Sequence, residues 1–170
     1  MPNTTGAMAK SKSGKVKPPP MLIGWRERIA LPELGINLLQ AKIDTGARTS
    51  ALHATRMQRF DKDGVEWVRF HIPHASGLTA RDVEAPLVDR RKIKNTSGKG
   101  ENRLVIETLL VLGARQWRIE VSLADRSEMA MPIILGRTAI RRHGLLVDAG
   151  KSFLVGKPVP DLGQEPLPQG

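Results

Sequence analysis

The chain has 170 residues, with 27 Lys and Arg against 17 Asp and Glu for a formal charge of +10, and it contains no cysteine. That length suits one domain with tails, and the missing cysteine excludes a disulfide scaffold, thiolate-bound zinc and a cysteine nucleophile. Apolar residues at 40% and charged residues at 26% permit an ordinary globular core, and no window nears the roughly 18 apolar residues of a membrane span.

Residues 1–20 carry four Lys and no acid, and no apolar run follows, so they read as a disordered basic tail rather than a secretory leader. The expected location is the cytoplasm. Removing those four lysines leaves the remainder at +6, and this surplus points to an acidic partner. Residues 23–31 form an extended candidate closed by Pro32. A turn at Glu33-Leu34-Gly35 leads to a second strand, 37–43, which runs into Asp44-Thr45-Gly46-Ala47. Over 65–72 the apolar Val68, Phe70 and Ile72 alternate with Arg69 and His71, the period of a half-buried strand. Residues 90–103 are polar and basic and read as an exposed loop, either a flap or a hairpin tip. Strands at 104–112 and 117–123 flank Gly113-Ala114 as a hairpin. The apolar run from Pro132 to Gly136 predicts a buried strand, and 137–143 a short helix ended by Gly144. Two last strands, 145–147 and 152–155, would turn at Asp148-Ala149-Gly150, and 156–170 reads as a Pro/Gly-rich tail. The folded body is thus 21–155. Many short strands with one late helix predict an all-β barrel.

Two separated segments carry chemistry. In Ile43-Asp44-Thr45-Gly46-Ala47 an apolar strand delivers a carboxylate into an Asp-Thr-Gly turn, the arrangement an aspartic peptidase uses. Asp44 holds water, the Thr45 hydroxyl braces the turn, and Gly46 lets amide donors come close without a Cβ in the way. Far downstream, Ile133-Ile134-Leu135-Gly136-Arg137 supplies the apolar-apolar-Gly strand that, in retroviral-type aspartic peptidases, passes behind the catalytic turn.

With these, Gly24-Trp25-Arg26-Glu27, residues 31–36, residues 41–53, residues 66–70, Asp89-Arg90-Arg91, Leu135-Gly136-Arg137-Thr138 and Val147-Asp148 resemble the RimB family over about residues 22 to 155. These are retropepsin-like proteins with the older label "ATP-dependent zinc proteases". The resemblance implies a closed retropepsin-like β-barrel with one short C-terminal helix. It also implies a partner system, in which a RimK-type ligase adds glutamates to the C-terminus of a small-subunit ribosomal protein and the peptidase trims them. The residues do not match the older label. His53, His71, His74 and His143 form no His-Glu-x-x-His helix and read as structural or surface groups, and there is no Walker loop. Neither a metal nor another cofactor is expected.

Two close carboxylates share a proton because both cannot ionise at that distance, and each can then play a separate role toward one peptide bond. The sequence holds one Asp-Thr-Gly. The simplest completion is a homodimer with Asp44 of each chain on a two-fold axis; a single-chain alternative would recruit Asp148, which lacks a Thr-Gly or Ser-Gly sequel. Arg48, Arg90, Arg91 and Arg137 are the candidates to bind the carboxylates of a glutamate tail through paired hydrogen bonds. From a different class comes a non-catalytic basic module that binds the ribosome or RNA, or that regulates the ligase. With three Trp, three Phe and no Tyr, platforms for stacking bases are scarce, and direct nucleic-acid binding is not expected.

Overall fold

Alternation of apolar and polar residues builds most of the molecule. The computed structural model describes residues 19–94, 97–128 and 130–160. In chain order it has β1 (Met21–Leu31), a 3-10 turn (Pro32–Leu34), β2 (Ile36–Ile43), β3 (Ser50–His53), β4 (Thr55–Lys62), β5 (Val65–Ile72) and β6 (Arg81–Lys94). There follow β7 (Gly100–Leu112), β8 (Arg115–Ala124), β9 (Ile133–Leu135), α1 (Arg137–Ile140) and β10 (Leu145–Ser152). In β2 the buried Ala41 and Ile43 flank an exposed Lys42, as a strand with one wet face requires.

The strands form one sheet in the order β10-β1-β2-β9-β3-β8-β7-β6-β5-β4. β1 also pairs with β7, Ile29 opposite Leu112 and Ala30 opposite Val111, so the sheet curls on itself into a ring. The all-β, retropepsin-like expectation therefore holds. Side chains such as Ile29, Leu31, Leu52, Ile106, Leu110 and Ile133 fill the ring and are fully buried, each contributing about 1.5–3 kcal/mol against exposure. Trp117 donates its indole N–H to the Ala139 carbonyl at 2.9 Å and stacks on His143, docking α1 and the turn after it. No helix among the described residues is long and apolar enough to cross a membrane.

Four local expectations change. Residues 90–103 are mostly strand: β6 and β7 pair from Leu87 opposite Ile106 out to Lys94 opposite Gly100, so only the tip of this stretch is a turn. The helix ends at Ile140 rather than His143, because Arg141 is extended and Arg142 is left-handed at φ 73°. The two last strands are one, since the chain from Leu145 to Ser152 stays paired with β1 through an irregularity between Gly24 and Arg26. Beyond it Phe153 adopts φ 56° and leaves the sheet. Two strands unannounced by any pattern, β3 and β4, precede β5. The tails expected at 1–20 and 156–170 fall largely outside the described residues. The described ends meet at one place: Arg115 Nη2 donates to the Pro19 carbonyl at 2.6 Å, and the Val159 N–H donates to the Gly113 carbonyl at 2.7 Å.

Glu27 is fully buried on β1, yet its carboxylate accepts three backbone N–H groups, from Gly24 at 2.6 Å, Leu154 at 3.0 Å and Val155 at 3.3 Å. A carboxylate bound this way satisfies donors that neither strand could pair. It fastens the segment after β10 to the ring, where Gly24 makes room: a Cβ there would lie 2.2 Å from the Lys151 carbonyl oxygen. Replacing Glu27 by Ala strands these donors away from water, so urea unfolding should show a loss of at least about 3 kcal/mol. A loss below about 1 kcal/mol would refute this role for the carboxylate.

Candidate active site

Asp44 follows the last residue of β2, and the three-residue β9 fixes it from behind. β9 lies between β2 and β3, parallel to β2 (Ala41 opposite Ile133, Ile43 opposite Leu135) and antiparallel to β3 (Leu52 opposite Ile133). The Asp44 N–H donates to the Leu135 carbonyl at 2.9 Å, and the Ala47 N–H returns to the Asp44 carbonyl at 3.2 Å. The Asp44 carboxylate accepts the Gly46 N–H at 3.1 Å through Oδ1. Past the turn, the N–H groups of Arg137 and Thr138 donate to the carbonyls of Ala47 at 2.8 Å and Arg48 at 3.1 Å. The Arg137 guanidinium donates to the Thr45 carbonyl at 2.9 Å.

Gly136 is where the two segments touch. Its backbone is ordinary extended chain, but an added Cβ would lie 2.7 Å from the Thr49 carbonyl carbon and 2.9 Å from the Ala47 oxygen. Its N–H donates to Oγ of the fully buried Ser50 at 3.1 Å, and the Ser50 carbonyl accepts the Ser122 hydroxyl at 2.9 Å. The carboxylate thus sits on a loop braced by these hydrogen bonds, while Thr45 and Gly46 are exposed.

Asp44 opens on a cleft of about 1110 Å³ between this loop and the β6–β7 hairpin. Five cations line it without an ion-pair partner among the described residues: Lys42, Arg48, Lys92, Lys94 and Arg126. Two more, Arg91 and Arg103, are already paired. Arg91 reaches Asp89 at 2.6 Å and Glu120 at 2.5 Å, and Arg103 reaches Glu101 at 3.1 Å. Burial works against the Arg91 charge, but the hydrogen bonds to Asp89 and Glu120 outweigh it and hold the guanidinium above its ordinary value. The same Arg91, with the Arg90 N–H, holds the Asp89 carboxyl below its ordinary range.

The residues singled out from sequence divide accordingly. Asp44, Gly46, Arg48 and Arg91 line the cleft, with Thr45 between the first two. Arg90 does not line it; exposed, it pairs with Glu66 at 2.7 and 3.0 Å. Arg137 braces the turn through Thr45 rather than lining the cleft. Asp148 is on β10, accepts the Gly150 N–H at 2.9 Å and is absent from the cleft wall. Glu120 is the other carboxylate on that wall. Lys42, Lys92, Lys94 and Arg126 went unnoticed in the sequence, although alternation places Lys42 on the same face of its strand as Asp44. No three His, Asp or Glu side chains among the described residues gather as metal ligands would.

Comparison with known proteins gives the family. The RimB-like family model, described as retropepsin-like aspartic endopeptidase RimB, matches residues 22–158. A protein named probable alpha-L-glutamate ligase from Desulfotalea psychrophila is 40% identical over 139 residues, 80% of this chain and 30% of that protein. One of the same name from Shewanella pealeana is 37% identical with the same coverage. Another, from Parasynechococcus marenigrum, is 36% identical over 86% of this chain and 31% of that protein. The chain therefore spans less than a third of the length of these curated relatives. A crystal structure of a Legionella pneumophila protein of unknown function superposes with a TM-score of 0.69 at 29% identity, covering 79% of this chain and 97% of that one.

The contact at Gly136 makes a direct prediction. Gly136→Ala leaves the backbone conformation allowed and fails only for space, so thermal or urea unfolding should register a loss of about 2 kcal/mol or more. Unchanged stability would mean that the two segments are not held at this separation.

Proposed function

We propose, starting from the fact that the chain belongs to the RimB-like family of retropepsin-like aspartic endopeptidases, that it hydrolyses peptide bonds in glutamate-rich protein tails. The observation that carries this reading is a carboxylate on a braced Asp-Thr-Gly turn in the wall of a cleft lined by five cations that are unpaired among the described residues. Those cations fit a run of carboxylates, and Arg48, beside the turn, would bind the one nearest the cut.

The second carboxylate of the reaction comes from a second copy of the chain. Two features support this: the neighbouring Glu120 is committed to Arg91, and Asp148 lies elsewhere with its carboxylate engaged by its own turn. The exposed Thr45 and Gly46 leave the turn open to an identical turn across a two-fold axis. In that pair one Asp44 is ionised and its mate protonated. The ionised carboxylate takes a proton from a bridging water as the water oxygen attacks the scissile carbonyl carbon, while the protonated mate hydrogen-bonds the carbonyl oxygen. Collapse of the tetrahedral intermediate breaks the C–N bond as the amine nitrogen takes up a proton. Water attacks directly, so no acyl-enzyme forms.

The substrate proposed is the poly-glutamate tail that a RimK-type ligase adds to a small-subunit ribosomal protein. The relatives named probable alpha-L-glutamate ligases support that pairing, since a segment similar to this chain makes up about 30% of each. A module of this kind then shares a polypeptide with what those names describe.

Incubation with a poly-glutamylated peptide, followed by mass spectrometry, should give shortened products. Asp44→Asn should reduce their rate by about 10³-fold or more while the protein stays folded. Full activity in folded Asp44→Asn sinks the hydrolase assignment, and binding without any product from the native chain would identify a docking module instead. Raising salt should weaken binding of acidic peptides, and Arg48→Ala should raise KM for them about tenfold with little change for neutral ones. Equal effects on acidic and neutral peptides would refute acidic recognition at Arg48.

A further inference from the structure

We infer that His53 is a positioning residue whose ring Nδ1, by accepting the Arg126 N–H, sets Arg126 in the cleft as a contact for an anionic substrate. The inference rests on the acidic-substrate reading above, which counts Arg126 only as one of five cations and makes no use of His53.

His53 ends β3 opposite Ala124, the last residue of β8. The segment 125–132 leaves β8 there and returns as β9, and both of its ends are tied to this one residue. The Arg126 N–H donates to His53 Nδ1 at 3.0 Å, and the His53 N–H donates to the Pro132 carbonyl at 2.8 Å. The Ala124 carbonyl, which accepts the Ala54 N–H at 3.0 Å, also lies 3.3 Å from Nδ1. A backbone amide always carries its hydrogen, and the Arg126 N–H points at Nδ1, which thus accepts rather than donating to that carbonyl. The neutral ring therefore carries its proton on Nε2.

Between these ties the segment lends Arg126, Ala130 and Met131 to the cleft wall. Lys42, Lys92 and Lys94 also line it, but they belong to paired strands whose ladders fix them. Arg126 lies two residues past the end of β8, outside the strand ladders, and its guanidinium has no ion-pair partner among the described residues. The His53 bond is the hydrogen bond that holds the Arg126 backbone among the described residues, and without it more of its ordering would fall to the substrate and weaken binding.

Affinity for fluorescein-labelled hexaglutamate, read by anisotropy in an Asp44→Asn background, tests this without dependence on hydrolysis. Two variants of similar polarity differ in where they place an acceptor: Asn at 53 puts an oxygen where Nδ1 stands, and Gln puts it where Nε2 stands. His53→Asn should bind within about twofold of the parent, and His53→Gln should bind about tenfold more weakly. Arg126→Ala should lose as much as His53→Gln, and the double variant should be no weaker than Arg126→Ala alone. His53→Leu serves as a third substitution, with thermal unfolding to confirm that each variant is folded. Equal affinity of the Asn and Gln variants, fully additive losses in the double variant, or a parent that does not bind hexaglutamate would each overturn the inference. Failure of the hydrolase reading appears separately, as a native chain that yields no product while the binding pattern stands.

Discussion

The placement of Asp44 depends on one crossing of backbone. β9 is three residues long, too short to be stable by itself, and it persists because β2 and β3 hydrogen-bond it from both sides. Its last carbonyl holds the Asp44 amide, and the amides just beyond it hold the carbonyls that leave the Asp-Thr-Gly turn. Buried backbone groups need partners, and here the two segments supply each other's. The approach is close enough to exclude any side chain at Gly136. The carboxylate is thus delivered by an assembly that the rest of the ring clamps, and a side chain held on rigid elements keeps its geometry.

Charge is arranged on top of this frame in two populations. Arginines such as Arg69, Arg90, Arg91 and Arg118 are spent on nearby Glu or Asp, and exposed pairs of this kind contribute little to stability. The cations around Asp44 are left unspent among the described residues. A basic protein is not by that fact an anion binder; what matters is which of its cations remain available and whether they converge. Here they converge on the wall around one carboxylate.

Much of this was legible in the sequence, and the failures have physical causes. The Asp-Thr-Gly turn and the Ile-Ile-Leu-Gly strand were visible because each needs particular residue types at particular places, and the β7–β8 hairpin because a two-residue Gly113-Ala114 link joins two alternating runs. β6 hid because its outer half, Asp89-Arg90-Arg91-Lys92, is polar on both faces and is held by cross-strand pairing rather than burial. β4 hid for a similar reason, being an edge strand with no fully buried residue. Arg90 and Arg91 were chosen together, yet Arg90 is drawn to Glu66 on β5 while Arg91 lines the cleft, a division set by partners far apart in the chain. Arg126 gave no local signal, since what brings it to the wall is a histidine more than seventy positions away in the chain.

The meeting of Pro19 and Val159 beside the β7–β8 turn bears on how such a fold is used within larger proteins. β7 runs 13 residues from the β6–β7 connection to that turn, a contour of about 40 Å, so both described ends lie a full strand away from that connection. Entry and exit points that adjoin one another let a unit be spliced into or appended to a host chain without refolding. Further chain connected there would leave the cleft around Asp44 unobstructed, a structural rationale for a segment similar to this one lying within longer relatives.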